Sequence, residues 1–181
     1  TVKIIKGDQT YEGHVSVVYD PTIPHTIADR DKRYEILMRA YNLLEDLAYT
    51  DKIVTEIRDQ AKEKATKANN KSLGKKLNAL SESMEVLHNE LVATNATSAI
   101  TGEEQLREKI GEVYGAVNGY QGRPTQNQMD RLELLMKKVA EKKTGLDSIL
   151  TIDLPNLNNQ LVKEKIDPFK LTTKEEFLKE E

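Results

Sequence analysis

The chain has 181 residues, 31% charged and 5% aromatic, with no Trp and no Cys. The absence of cysteine excludes a disulfide framework and thiolate chemistry. A formal charge of −3, from 27 basic and 30 acidic residues interspersed along the chain, marks out no nucleic-acid patch, and no apolar run reaches the roughly 18–20 residues of a membrane span.

Residues 1–19 read as a β-hairpin. Val2, Ile4 and Ile5, then Tyr11, Val15, Val17 and Val18, are β-branched or aromatic and roughly alternate, with Gly7-Asp8-Gln9 as the reversal. Two strands without a sheet are marginal in water. The hairpin is therefore expected to be the end of an all-β domain whose other strands lie upstream. Its free edge could also pair with a second copy, giving a homodimer. The chain opens inside this strand pattern, without a charged-then-apolar leader, as expected of a segment cut from a longer protein.

Residues 20–28 read as a linker stiffened by Pro21 and Pro24. A helical bundle follows over 29–166. Asp29 or Asp31 is the expected cap of its first helix. Tyr34, Leu37, Met38, Tyr41, Leu44, Leu47, Val54 and Ile57 mark the expected buried stripe. It thins to Ala61, Ala65 and Ala68, which predicts a close partner helix there. An Asn at 69–70 is expected to end the helix in the left-handed conformation.

The second helix carries Leu73, Leu77, Leu80, Met84, Leu87 and Leu91 at unbroken heptad spacing. After a connector over 94–100, Thr101-Gly102-Glu103-Glu104 reads as a capping box. The third helix carries Leu106, Ile110, Val113, Val117 and Tyr120. Gly111, Gly115 and Gly119 lie four apart along it, which predicts a close helix–helix contact to offset about 1 kcal/mol per glycine. Gly119 and Gly122 bracket a turn, and Thr125 with Gln128 forms a second capping box.

The last helix is the longest apolar pattern: Met129, Leu132, Met136, Val139, Leu146, Leu150, Leu157 and Leu161. Pro155 interrupts it and predicts a kink or a restart capped by Asp153. Asp167-Pro168 ends it. Residues 167–181 read as a charged tail with at most one capped turn, at Thr173 and Glu176.

The first and last helices each span roughly 55–60 Å, the second and third about 33 and 27 Å. The two short ones together match one long one. This favours an elongated antiparallel bundle of three long legs, the middle one broken at 94–101; an ordinary four-helix bundle is the alternative.

No constellation of side chains points to chemistry. His14, His25 and His88 fall in the hairpin, the linker and a helix flank, without metal-ligand spacing. There is no glycine-rich phosphate loop and no nucleophile elbow. The helical carboxylates lie on polar faces rather than across a cleft. Lys143 and Asp153 are the inward-phase exceptions, best explained by register or by reaching to the bundle edge. Tyr114, Tyr120 and Arg123 could form a small surface at the turn, but packing explains them as well. Asn95-Ala96-Thr97 matches a glycosylation sequon. Lys62 to Lys76 lacks the aromatic interleaving of a nucleic-acid stripe. Thus no catalytic, cofactor-binding or metal residue, no cofactor and no nucleic-acid partner is assigned.

Three passages carry a family resemblance. Thr10-Tyr11-Glu12 through Val17-Val18-Tyr19-Asp20-Pro21 resembles the closing strands of an Ig-like unit. Tyr120-Gln121-Gly122-Arg123-Pro124-Thr125-Gln126 resembles a Gly-Arg-Pro-Thr turn between helices. Asp153-Leu154-Pro155-Asn156-Leu157-Asn158 resembles an Asp-Leu-Pro segment in the last helix. Their order resembles the C-terminal helical region of bacterial exported proteins with BNR-repeat, sortilin-like β-propellers, often labelled glycosyl hydrolases. The resemblance implies an exported parent protein with any substrate site in an upstream propeller. It also implies a non-catalytic role here, packing on that propeller or binding another protein. An independent coiled-coil oligomerisation module and an accessory part of a glycosidase remain the alternatives.

Overall fold

The structure, a computed structural model, describes residues 1–94 and 103–179. Strands β1 (Val2–Lys6) and β2 (Gln9–Gly13) form an antiparallel hairpin in which Ile4 faces Tyr11. Gly7 takes the left-handed conformation, φ 59°, that its turn requires. Every residue of this hairpin is exposed. The ladder stops at Gly13, so Val15, Val17 and Val18, expected within it, lie beyond the paired strands.

The rest is helical. Helix α1 (Ile27–Lys67) is the spine, 41 residues long. Its cap is Thr26, three residues before Asp29 and five before Asp31, the expected caps. The Thr26 hydroxyl accepts from the Asp29 N–H, and the Asp29 carboxylate accepts from the Thr26 N–H. The linker is shorter accordingly. The buried face also differs from the expected one: Ile36, Leu37, Ala40, Leu43, Leu47, Ile53, Val54, Ile57 and Ala61 are buried, whereas Tyr34 and Tyr41 are 65% and 46% exposed. The inward phase of the first turns is set by the smaller Ile36 and Ala40, each 1% exposed, and the two tyrosines lie off that face.

Helix α2 (Lys71–Leu91) turns back along α1 and packs on it more extensively than any other helix does. At the alanine end the approach is close, as expected: a side chain on Gly74 would stand 3.6 Å from the Ala65 carbonyl. The turn needs no left-handed asparagine. Asn70 is extended and caps α2, accepting from the Ser72 and Leu73 N–H groups.

Helix α3 (Leu106–Asn118) takes up the same leg and packs against α1, touching α2 only lightly. The Glu108 carboxylate bridges the break, accepting from the Ala93 and Gln105 N–H groups, each at 3.1 Å. Burial pushes this carboxyl up, but the bonds from Arg107, Ala93 and Gln105 together hold it below its ordinary range. The expected Thr101 box and the Asn95 sequon fall at 95–102, outside the described residues. The close helix contact expected at Gly111 and Gly115 is not made; both positions have open space where a Cβ would stand.

Helix α4 (Gln126–Ser148), opened by the expected Thr125–Gln128 box, runs parallel to α1. Arg39 pairs with Glu133 and Asp46 with Lys143, so residue numbers rise together along the two helices. The legs therefore run up, down and up, with the middle one broken. A single π-turn, Ile149–Asp153, joins α4 to α5 (Leu154–Lys163) without ending the helix.

The helix runs on through Pro155, as the apolar phase of Leu150, Leu157 and Leu161 favours, and the π-turn replaces the alternative of a restart capped by Asp153. The Leu154 N–H bonds to the Ile149 carbonyl, five residues back, and Asp153 stays helical without capping anything. A wider turn relieves the crowding that a proline ring brings to the preceding turn. The extra residue also resets the helical phase. Leu154 is 4% exposed, and Leu157 and Leu161 stay buried, while Asp153 faces out. Lys143, the other inward candidate, reaches to the edge, with its side chain 41% exposed and 3.7 Å from Asp46.

The end of α5 closes in a Schellman motif: the Ile166 N–H bonds to the Leu161 carbonyl and the Lys165 N–H to that of Val162. Lys165 sits at its left-handed position, φ 60°. The chain then folds back along α1 as an extended strap and ends in a capped turn, α6 (Lys174–Phe177), with the expected Thr173–Glu176 box. Phe169 and Leu171 pack against the core.

Candidate functional site

One group of charged and aromatic side chains outside the core meets at the end of the bundle where the linker meets the α3–α4 turn. The path there is set locally. The Asp20 carboxylate accepts from the Thr22 N–H at 2.8 Å and from its hydroxyl at 2.6 Å, bonds that hold it below the ordinary carboxylate range. The chain thereby lays Tyr19 under α1, where the Arg30 guanidinium stands 3.6 Å from its ring centroid.

Arg33, one turn on, donates to the carbonyls of Val117 at 3.1 Å and Asn118 at 2.8 Å. It satisfies the free carbonyls at the C-terminus of α3, where a cation also complements the helix dipole. Tyr19, Ile23, Arg30, Arg33, Tyr34 and Asn118 are among the residues enclosing an open recess of about 600 Å³.

The turn itself is locked beside this recess. The His25 ring meets the Tyr120 ring edge-on at 5.3 Å. Gly122 lies beneath both: a Cβ there would come within 2.7 Å of the His25 ring and 2.5 Å of the Tyr120 ring. Only glycine leaves room for that stacking. Arg123 lies 4.0 Å from Asp29, adding a loose ion pair between the turn and α1. Of the surface expected from Tyr114, Tyr120 and Arg123, the last two are brought together, whereas Tyr114 packs against the core.

The histidines stay apart. His14 lies 3.3 Å from the Thr1 hydroxyl, His25 faces Tyr120, and His88 makes a 2.6 Å contact with Asp51 between α1 and α2. That last pair is half-buried, with side chains 16% and 20% exposed, and ties two legs together. Among the described residues, no group of three His, Asp or Glu side chains is arranged to hold a metal ion. No described helix is long and apolar enough to cross a membrane.

Sequence reasoning missed Arg30, Arg33 and Tyr19 as a unit, because their meeting depends on how the linker turns. A signal was available in the Asp20-Pro-Thr22 turn and in basic residues at the start of a helix. The arrangement offers a cation, phenol rings and an apolar rim: the chemistry of a contact surface. No family model matches the chain, and neither a curated protein nor a solved structure is significantly similar to it.

Proposed function

We propose that this chain is a non-catalytic structural and interaction module, a helical strut in an exported protein of the propeller type. Its partner contact is made through the hairpin end of the bundle. One observation carries this reading: the distribution of exposed apolar surface. Val2, Ile4, Ile5, Tyr11, Val15, Val17, Val18 and Tyr19 are all exposed within the first nineteen residues, while the core of the bundle is sealed. Clustered exposed apolar side chains are the mark of an association surface. The propeller-type parent, and with it export, rests on the three sequence motifs alone.

The test is twofold. The chain should hydrolyse no member of a glycan panel. It should also bind the separately produced upstream part of its parent protein, with Ile4→Asp and Val17→Asp weakening that binding at least tenfold. Glycan hydrolysis by this chain, lost on substitution of particular carboxylates, would overturn the proposal.

The open edges of β1 and β2 favour a second reading, homodimerisation through strand pairing. Light scattering over a hundredfold concentration range separates the two. A mass that doubles in the native chain but not in Ile5→Pro selects the dimer.

A further inference from the structure

The strap of residues 169–174 is held through its backbone. Gln60 pairs with Lys170 as one amide with another, accepting from its N–H at 3.0 Å and donating to its carbonyl. Glu56 accepts from the Thr172 N–H at 2.9 Å and from its hydroxyl at 2.6 Å. The Tyr49 hydroxyl donates to the Thr172 carbonyl at 3.1 Å. These three side chains lie on one face of α1 and read the N–H and C=O of alternate strap residues. That is how a groove recognises an extended peptide.

Side-chain specificity comes from what lies between. The Phe169 ring covers the ammonium of Lys64, a residue only 7% exposed, at 5.4 Å. Leu171 lines a slot of about 320 Å³ whose walls include Ile53, Leu146 and Leu150. Nothing in this recognition requires the peptide to belong to the same chain. The connection to α5 is short and contains Lys165 in the left-handed conformation followed by Asp167-Pro168. A short, strained hinge favours exchange of the segment beyond it.

We propose that Tyr49, Glu56 and Gln60 with the neighbouring apolar slot form a receptor for an extended peptide, filled in the isolated chain by its own strap, and that its partner is the same strap from a second copy. In the wild type the tethered strap competes at an effective concentration of the order of millimolar, which keeps the exchange closed in dilute solution.

Complementation between two full-length variants tests this. Leu171→Asp/Thr172→Pro weakens the strap and leaves the groove intact. Glu56→Ala/Gln60→Ala breaks the groove and leaves the strap intact. Each alone should sediment as a monomer, and an equimolar mixture at the same total concentration should form a heterodimer. A mixture that stays monomeric overturns the proposal. A second measurement uses the Leu171→Asp/Thr172→Pro variant, in which the weakened strap leaves the intact groove open. A labelled peptide of residues 167–179 should bind it saturably, and at least tenfold more weakly when the peptide carries Thr172→Pro. Equal binding of the two peptides, or none, also overturns it.

Discussion

The two ends of this chain form a contrast. The hairpin has regular secondary structure, a full ladder from Val2–Gly13 to Lys6–Gln9, and every residue of it exposed. The tail has almost no regular structure, yet it is fastened to α1 through Gln60, Glu56, Tyr49 and Asp46 and packs Phe169 and Leu171 on the core. Backbone hydrogen bonds exchange with water at little net gain, so regularity without cover contributes little. An irregular segment whose polar groups are matched and whose apolar groups are covered gains more. Cover, not regularity, decides which segments hold this fold together.

The bundle sets the scale for breaking that contrast. Leu77 is 0% exposed at the tight α1–α2 contact, so Leu77→Ala should lower the unfolding free energy by about 2–5 kcal/mol in denaturant titration. The tail comes next. Leu171→Asp should cost about 1–3 kcal/mol, because a carboxylate replaces a half-buried apolar group, and amide exchange at residues 170 and 172 should accelerate. A loss below about 0.5 kcal/mol would place the tail in the same class as the hairpin.

Lys165→Gly should work in the opposite direction. Its left-handed backbone disfavours a side chain, so glycine should stabilise the chain by about 1 kcal/mol, read as a raised Tm. Acid should also loosen the tail. The hydrogen bond from Lys174, with Lys143 nearby, holds the Asp46 carboxyl below its ordinary range. A depressed carboxylate stabilises the fold fully above its unfolded pKa and loses that contribution as pH falls through the folded value. Exchange protection at residues 170–174 should therefore be flat from about pH 7 to about pH 5 and decline below about pH 4. The hairpin should respond least. Ile4 is 61% exposed, and Ile4→Ser should shift stability by less than about 0.5 kcal/mol.

The heptads of α2 and α4 were legible because a leucine every three or four residues leaves a helix one face to bury. Their lengths made the broken middle leg legible too. The capped turn of the tail is legible in Thr173 and Glu176, but its charge count masks the packing signal: both phenylalanines of the chain, Phe169 and Phe177, lie in it. The hairpin-end recess was illegible for a different reason. Tyr19, Arg30 and Asn118 are far apart in sequence, and only the path of the linker joins them.

By itself, then, the sequence determined what depends on neighbours a few residues apart: the leucine faces of α2 and α4, the Thr125 and Thr173 caps, and the turn at Gly7. Tertiary structure decided what depends on distant partners. It chose Ile36 and Ala40 over Tyr34 and Tyr41 as the inward face of α1, and it turned Asp153 outward by one π-turn. It also laid an extended strap against Glu56 and Gln60. Periodicity establishes that a helix has a buried face. Which residues occupy it is settled by the shape of what packs there.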